Sequence, residues 1–220
     1  MTQTITLDGP SVAPKSGGAA RQLVVFLHGY GSNGDDLISL APYWADLMPD
    51  AAFVSPNAPF PCEMNPFGGF QWFGLEERNA ARMLEGTRAA ARSLDAFLDA
   101  RLAALGLDES RLALVGFSQG TMMALHVGPR RAQAPAAIVG YSGALIAAEA
   151  LAGEIKAKPP VLLIHGTGDQ VVPFAAMAAA ATTLQGLGIA VETLARPGLP
   201  HSIDPEGLTR GGQFIHQNLT

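Results

Sequence analysis

The sequence predicts one α/β domain built on a mostly parallel central sheet with helices on both faces. Short apolar runs alternate along the chain with longer segments of helical periodicity, which is the pattern of βαβ units. The first of these runs lacks polar alternation, as is typical of strands buried on both faces. The 220 residues are 48% hydrophobic and 15% charged, which is enough to build one large core. We expect residues 1–20 to form an N-terminal strand and loop, and residues 21–220 a single domain.

Six apolar runs predict the strands of the sheet. They lie at residues 23–27, 52–55, 111–115, 137–139, 161–164 and 190–194. Residues 4–7 predict an antiparallel edge strand, and the Pro-, Gly- and Ser-rich residues 10–20 predict a loop. Parallel strands require right-handed crossovers, so the helices between them should cover both faces of the sheet.

The clearest predicted helix precedes the third of the six strands, and Gly106 should end it. Residues 121–127 and the alanine-rich residues 175–181 predict two more helices, since alanine has the highest helix propensity. The apolar stripe of the first helix comprises Leu84, Thr87, Ala91, Leu94, Leu98, Leu102 and Leu105.

The composition of the chain indicates which partners and which cellular location to expect. The net charge of −5, with no basic run, argues against nucleic-acid binding. The lone cysteine, Cys62, cannot form an internal disulfide, which favours a reducing compartment. We identify no signal peptide and no apolar stretch of about 20 residues. We therefore expect a cytoplasmic protein without stable membrane insertion.

A G-x-S-x-G sequence, centred on Ser118, lies between the third strand and the following helix. A serine on a sharp strand-to-helix turn exposes its hydroxyl, and the flanking glycines allow strand and helix to approach closely. An N-cap serine after a glycine turn is the structural alternative. The position of the motif between a strand and a helix favours Ser118 as a catalytic nucleophile.

A histidine base must activate such a serine, and the chain has five histidines. On this kind of turn the acid and then the base follow the serine in sequence, which excludes His28. His126 lies too far along the next helix, and His216 lies on a C-terminal helical pattern. His201, in a Gly- and Pro-rich loop after the last strand, is the predicted base. His165, at a strand end, is the alternative.

Asp169 is the predicted acid that orients His201. It follows the fifth strand in a glycine-bearing loop, where hydrogen bonding to the imidazole would fix the histidine tautomer. A turn or N-cap aspartate is the structural alternative, and Asp108 and Asp204 fit that role better.

Two backbone N–H groups are predicted to form an oxyanion hole. Gln119, the residue after the serine, would supply one of them, and Tyr30, flanked by two glycines after the first long strand, the other. His28 would then hold this loop in place. It has no second ligand at metal-binding spacing, and we predict no metal site.

Residues 59–75 form a Pro- and Gly-rich segment containing Phe60, Phe67, Phe70, Trp72 and Phe73. We interpret Phe70, Trp72 and Phe73 as an apolar wall of the substrate pocket. The alternative is a small core beneath a loop. Met122 and Val172, which neighbour the predicted serine and aspartate, are expected to extend the pocket.

These motifs together resemble the phospholipase/carboxylesterase family, which includes the acyl-protein thioesterases. LHGYG, GFSQGTMMAL, HGTGDQVVP and the loop around His201 occur in the family's order over residues 22–219. The resemblance implies an α/β-hydrolase fold without a large lid domain, the triad and oxyanion residues named above, and no cofactor. It also implies hydrolysis of carboxylic esters, thioesters or lysophospholipids. Pro200 departs from the glycine that many relatives carry before the histidine.

Two other functions remain open. One is a catalytically idle ligand-binding protein on a hydrolase scaffold, because fold alone does not determine function. The other assigns the chemistry to Cys62 as a thiol nucleophile or redox sensor, although no nearby cation in the sequence would activate it. The sequence predicts a small ester or acyl compound as the partner. It leaves the acyl chain length and the oligomeric state open.

Overall fold

The computed structural model describes residues 4–65, 68–75 and 79–219, which contain a seven-stranded sheet and a separate hairpin. The nine strands are β1 (Ser11–Val12), β2 (Gln22–Leu27), β3 (Ala51–Val54), β4 (Phe60–Pro61), β5 (Phe70–Gln71), β6 (Leu112–Phe117), β7 (Ala137–Tyr141), β8 (Val161–Gly166) and β9 (Val191–Arg196). The sheet order is β1-β3-β2-β6-β7-β8-β9, and β4 pairs only with β5. All pairs in the large sheet are parallel except β1 with β3.

The helices connect these strands and cover both faces of the sheet. They are α1 (Gly34–Ile38), α2 (Ala41–Trp44), α3 (Ala80–Leu105), α4 (Gln119–Val127), α5 (Ala148–Glu154), α6 (Ala175–Gly186) and α7 (Pro205–Asn218). The predicted α/β class, the six strands and the three helices are confirmed. Gly106 caps α3 with a left-handed φ of 65°, as its position in the sequence predicts.

The central strands lack polar alternation because each sends side chains into two different cores. In β2, Leu23, Val25 and Leu27 pack with α3, α4 and α6, whereas Val24 and Phe26 face α1, α2 and α7 on the other side. All five of these side chains are almost fully buried. Burial on both faces therefore accounts for the continuous apolar run in the sequence.

The predicted edge strand is wrong. Residues 4–7 form no strand, and the antiparallel edge is instead β1, within the segment predicted to be a loop. The backbone N–H of Ile5 donates to the hydroxyl of Ser93 on α3, and Leu7 is buried against the same core. The Ile5 backbone and the Leu7 side chain thus anchor this segment to a helix rather than to the sheet. Backbone hydrogen bonds to the chain at the end of β3 begin at Asp8, whose carbonyl accepts from Asn57, and continue at Pro10, whose carbonyl accepts from Ser55.

The parallel sheet brings three sequence motifs to one edge. β2, β6 and β8 all run in the same direction, and their carboxyl ends lead into the loops that contain Tyr30, Ser118 and Asp169. Ligands bind at this edge of open parallel sheets because the loops and helix N-termini converge there. No helix among the described residues is long and apolar enough to cross a membrane.

Candidate active site

Ser118 lies on a strained turn between β6 and α4. Its φ of 54° and ψ of −115° fall outside the regions that most residues adopt. The Ser118 N–H donates to the carbonyl of Tyr141, and the Ser118 carbonyl accepts from Met122, so the strained residue is fixed on both sides. Backbone strain of this kind costs about 1–3 kcal/mol and is concentrated at functional sites.

The two motif glycines are required by close backbone contacts. A Cβ atom on Gly116 would lie 2.3 Å from the backbone N of Thr121, and one on Gly120 would lie 1.8 Å from the carbonyl oxygen of Leu27. Both distances are far below any real carbon contact. The start of α4 therefore packs directly on β2 and β6, which is the steric arrangement that the motif predicts.

Asp169 and His201 form a short hydrogen bond, with 2.7 Å between His201 Nδ1 and Asp169 Oδ2. The other carboxylate oxygen of Asp169 accepts from the backbone N–H groups of Val171 and Val172. Burial raises the pKa of Asp169, but the hydrogen bond from His201 and the two N–H groups outweigh it. The pKa of this carboxyl therefore lies below its ordinary value, and the group is ionised at neutral pH.

The loop that carries His201 packs on the loop that carries Asp169. The N–H of Gly168 donates to the carbonyl of Leu199, and a Cβ atom on Gly166 would lie 2.1 Å from that same oxygen. The His201 ring also contacts Phe117, with 4.8 Å between ring centroids. Pro200, the departure from the family pattern, is compatible with the contact between the imidazole and the carboxylate.

The other four histidines lie in different environments. His28 is buried, with Nε2 accepting from the Ala58 N–H and Nδ1 donating to the Gly29 carbonyl, so it holds the loop as expected. Burial lowers its pKa, and it is neutral. His126 is buried on α4 and His216 is exposed on α7. His165 lies beside Asp169, 3.2 Å from the oxygen that also accepts from His201.

The competing aspartates have the structural roles that the sequence favours. Asp108 caps a short 3₁₀ helix through the Ser110 N–H, and Asp204 caps α7 through the Gly207 N–H. Neither lines the cavity beside Ser118.

The loop after β2 is held against the end of the β4–β5 hairpin. The Gly31 N–H donates to the carbonyl of Phe70, and the Phe70 N–H donates to the carbonyl of Ser32. Gly31 has a left-handed φ of 77°, which allows the sharp turn after Tyr30. Gly29 and Tyr30 line the same cavity as Ser118 and Gln119.

The predicted aromatic wall needs correction. Trp72 and Phe73 are almost fully buried, and neither they nor Phe70 line the cavity. The Gln119 amide is hydrogen-bonded to both backbones, since its Oε1 accepts from the Trp72 N–H and its Nε2 donates to the Phe73 carbonyl. The Trp72 indole N–H donates to the His28 carbonyl. The segment thus forms a core that supports both predicted oxyanion residues. Phe67 lies outside the described residues.

A cavity of about 710 Å³ opens beside the serine. Ser118, Gln119, Tyr30 and His201 share its walls with Met122 and Val172, the two residues predicted to extend the pocket. Leu75, Met83 and Ile146, which no sequence motif indicates, add apolar surface from separate parts of the chain. Met83 falls three residues after the N-terminus of α3, and only the tertiary fold brings it here. The cavity is mostly apolar with a few polar groups, which is the usual composition of a small-molecule site.

Other predicted or alternative chemical groups lie away from this cavity. Cys62 is buried next to the β4–β5 hairpin and does not line the cavity. Across the described ranges, no group of three or more histidine, cysteine, aspartate or glutamate side chains is arranged to hold a metal ion.

Comparison with known proteins identifies the family of the chain. A model of the phospholipase/carboxylesterase family matches residues 8–219. The chain belongs to the phospholipase/carboxylesterase family. The resemblance predicted from the four motifs is therefore confirmed, as are the α/β-hydrolase fold and the assignment of the chain as a hydrolase. No large lid domain covers the cavity among the residues that the structure describes.

Several known proteins are similar to the chain over nearly its full length. The crystal structure of esterase PE8 is 45% identical, with a TM-score of 0.93, over 98% of this chain and 100% of that one. Acyl-protein thioesterase 1 of Gibberella zeae is 29% identical over 89% of this chain and 90% of its own. Carboxylesterase SOBER1 of Arabidopsis thaliana is 28% identical over 91% of this chain and 92% of its own. Its crystal structure has a TM-score of 0.79.

Proposed function

We propose that the chain is a serine esterase that hydrolyses carboxylic esters or thioesters through an acyl-serine intermediate. The observation that carries the proposal is the 2.7 Å hydrogen bond between His201 Nδ1 and the buried carboxylate of Asp169, at the wall of the cavity that contains Ser118. The names of the relatives, esterase, carboxylesterase and acyl-protein thioesterase, agree with this chemistry.

Asp169 determines which imidazole nitrogen acts as the base. A carboxylate only accepts hydrogen bonds, so His201 Nδ1 carries a proton and Nε2 is left with a free lone pair. That nitrogen takes the proton of the Ser118 hydroxyl as its oxygen attacks the substrate carbonyl carbon. The ionised carboxylate of Asp169 then stabilises the imidazolium that forms.

The attack places a negative charge on the former carbonyl oxygen. The backbone N–H groups of Tyr30 and Gln119 would donate to it, and the N-terminus of α4 adds a favourable dipole. The hydrogen bonds that hold the Gln119 side chain to the backbones of Trp72 and Phe73 support this role. They keep the Gln119 backbone in place, and preorganised donors need no rearrangement during the reaction. Collapse of the intermediate breaks the ester bond, and the imidazolium of His201 donates its proton to the leaving alcohol or thiol.

Water completes the cycle by the same steps. His201 Nε2 removes a proton from the water molecule as it attacks the acyl-serine carbonyl. The second tetrahedral intermediate collapses to release the carboxylic acid and to return the proton to Ser118. The mostly apolar cavity suits a hydrophobic acyl chain, since burying apolar surface contributes binding free energy.

Steady-state hydrolysis of p-nitrophenyl butyrate and of a butyryl thioester tests the proposal. We expect Ser118→Ala and His201→Ala each to lower kcat by at least about three orders of magnitude. Ser110→Ala is the control, because Ser110 is an exposed serine outside the cavity and should leave kcat unchanged. Wild-type turnover by Ser118→Ala would contradict the proposal. Stoichiometric binding of the ester without turnover by the intact protein would favour the idle binding protein instead.

A further inference from the structure

The described lining of the cavity contains negative charge but no basic side chain. Among its described lining residues, Asp36 is the only one with a charged carboxylate, and none is lysine or arginine. Asp169 is close by, but its side chain is fully buried behind the wall and is paired with His201. The remaining lining is mostly apolar, with Met64, Met83 and Met122 contributing flexible thioether side chains.

Asp36 is held in place at the cavity wall. It lies in the first turn of α1, where the Asn33 side chain caps the helix by accepting from the N–H groups of Asp35 and Asp36. The Ser32 hydroxyl donates to Asp36 Oδ2 over 2.7 Å, and Ser32 itself lines the cavity. The Asn33 cap thus holds the backbone of Asp36, and the Ser32 hydroxyl holds its carboxylate.

The negative charge of Asp36 acts across the loop that carries the predicted oxyanion residue Tyr30. Burial lowers the pKa of His28, and the hydrogen bond to Gly29 and then the charge of Asp36 partly oppose this effect. Asp36 lines the same cavity as Gly29, Tyr30 and Ser118, so a substrate charge in the cavity would experience its field.

We propose that Asp36 is a specificity-determining residue that selects esters and thioesters whose leaving group is cationic and disfavours those whose leaving group is anionic. The proposal rests on the esterase function proposed above and extends it to the charge of the substrate. Opposite charges about 4–8 Å apart near a protein surface attract by an amount that changes binding several-fold. Strongly anionic thioesters, such as acyl-coenzyme A, should accordingly be poor substrates.

The position of Asp36 assigns the cation to the leaving group rather than to the acyl chain. Leu75, Met83, Met122, Ile146 and Val172 offer apolar surface for a hydrocarbon chain. Asp36 is exposed to solvent and adjoins the polar Ser32. A charged alcohol or thiol can remain partly hydrated at this side while the acyl chain is desolvated, which avoids the cost of burying a charge.

Two esters of nearly equal shape test the proposal. Butyrylcholine and 3,3-dimethylbutyl butyrate differ by a quaternary nitrogen in place of a quaternary carbon, so their rates differ chiefly through charge. We expect the wild-type protein to show a kcat/KM about three- to tenfold higher for butyrylcholine at low ionic strength. In Asp36→Asn, which preserves shape, the ratio should fall to about one. Asp35→Asn is the matched control, because it removes the same charge from the neighbouring residue, which does not line the cavity.

The salt dependence of the wild-type ratio provides a second readout that needs no variant. Salt screens exposed charges, so the preference should shrink between about 20 mM and 0.5 M ionic strength. A ratio that does not change with salt would overturn the proposal even if Asp36→Asn fails to fold.

Specific outcomes would overturn the proposal. Equal kcat/KM values for both esters in the wild type, independent of salt, would overturn it, as would a preference that Asp36→Asn retains. The neutral ester p-nitrophenyl butyrate separates this failure from failure of the proposed esterase function. If the protein hydrolyses p-nitrophenyl butyrate in a Ser118-dependent way but shows equal kcat/KM for the cationic and the neutral ester, only the specificity proposal is wrong. If it hydrolyses none of the three esters, the esterase function is wrong as well.

Discussion

His165 Nε2 lies 3.2 Å from Oδ2 of Asp169, the same oxygen that accepts from His201. His165 Nε2 also lies 3.0 Å from the carbonyl oxygen of Val172. Because a carbonyl oxygen can only accept, this nitrogen must carry a proton and donate it to the Val172 carbonyl. The Val172 N–H in turn donates to Asp169 Oδ1, so His165 holds the residue that holds the carboxylate.

We predict that His165 positions Asp169 for catalysis. His165→Phe keeps an aromatic ring of similar size beside Phe174 but removes the N–H group. We expect kcat to fall about tenfold with little change in KM, since the loss affects a positioning residue and not substrate binding. His165→Gln, whose amide can donate again, should recover part of the loss. An unchanged kcat in His165→Phe would show that the two backbone N–H groups suffice.

Asp169→Asn should abolish most of the turnover without unfolding the protein. The new amide can still accept from Val171 and Val172, but its NH₂ group would face His201 Nδ1 and favour the wrong imidazole tautomer. We expect kcat to fall on the order of 10³–10⁴-fold. Asp108→Asn, at an exposed cap outside the cavity, is the control. A loss of less than about tenfold, with circular dichroism unchanged, would remove Asp169 from the proposed triad.

Gly120→Ala should destabilise the protein, although alanine is the better helix former. Helix propensity favours the substitution by about 1 kcal/mol. The new Cβ would lie 1.8 Å from the carbonyl oxygen of Leu27, which backbone atoms cannot relieve without moving β2 or α4. We expect a net loss of about 3 kcal/mol or more in urea unfolding.

Gly153→Ala is the matched control for that substitution. Gly153 lies within α5, and a Cβ there would meet nothing within 4 Å. The control should gain about 0.5–1 kcal/mol. Equal stability changes in the two alanine variants would contradict the steric account of the motif.

Acid should destabilise the fold through His126. Burial, followed by the positive charge of Arg130, lowers the pKa of His126 to about 4, although Glu154 partly opposes the effect. The unfolded chain takes up this proton near the ordinary histidine pKa of about 6.5, before the folded chain does. Stability is therefore fully present above about pH 6.5 and is lost progressively as pH falls to about 4, by about 3 kcal/mol in total.

His126→Gln should remove this part of the pH dependence. Urea unfolding between pH 7.5 and 4 measures it as the difference in slope between the variant and the wild type. His216→Gln replaces an exposed histidine of α7 and should leave the slope unchanged. If His126→Gln retains the wild-type slope, His126 does not contribute to acid destabilisation.

Most of the fold was predictable because it depends on local rules. The apolar runs predict the strands, and the glycines around Ser118 predict the turn, since only a residue without Cβ fits beside Leu27. The order of serine, aspartate and histidine predicts which imidazole meets Asp169. The edge strand was mispredicted because the Ile5 N–H donates to Ser93 on α3 and Leu7 is buried in the core that includes this helix, and no local pattern indicates such long-range contacts.

The pocket was predicted only in part, for a physical reason. An aromatic segment in an irregular loop can face a ligand or a core, and its composition is the same in both cases. Trp72 and Phe73 face the core because their backbones are hydrogen-bonded to the amide of Gln119. Asp36 and Met83 reach the cavity through tertiary packing alone, so only the folded structure shows them.

Covalent labelling shows whether Ser118 is the activated nucleophile. Residues 112–130 form one tryptic peptide, in which Ser118 is the only serine. We expect a fluorophosphonate to add its phosphonyl group to Ser118, as read by mass spectrometry of this peptide. His201→Ala should slow the labelling strongly, and Ser118→Ala should abolish it. Labelling that persists in Ser118→Ala, or that proceeds at the wild-type rate in His201→Ala, would contradict the account.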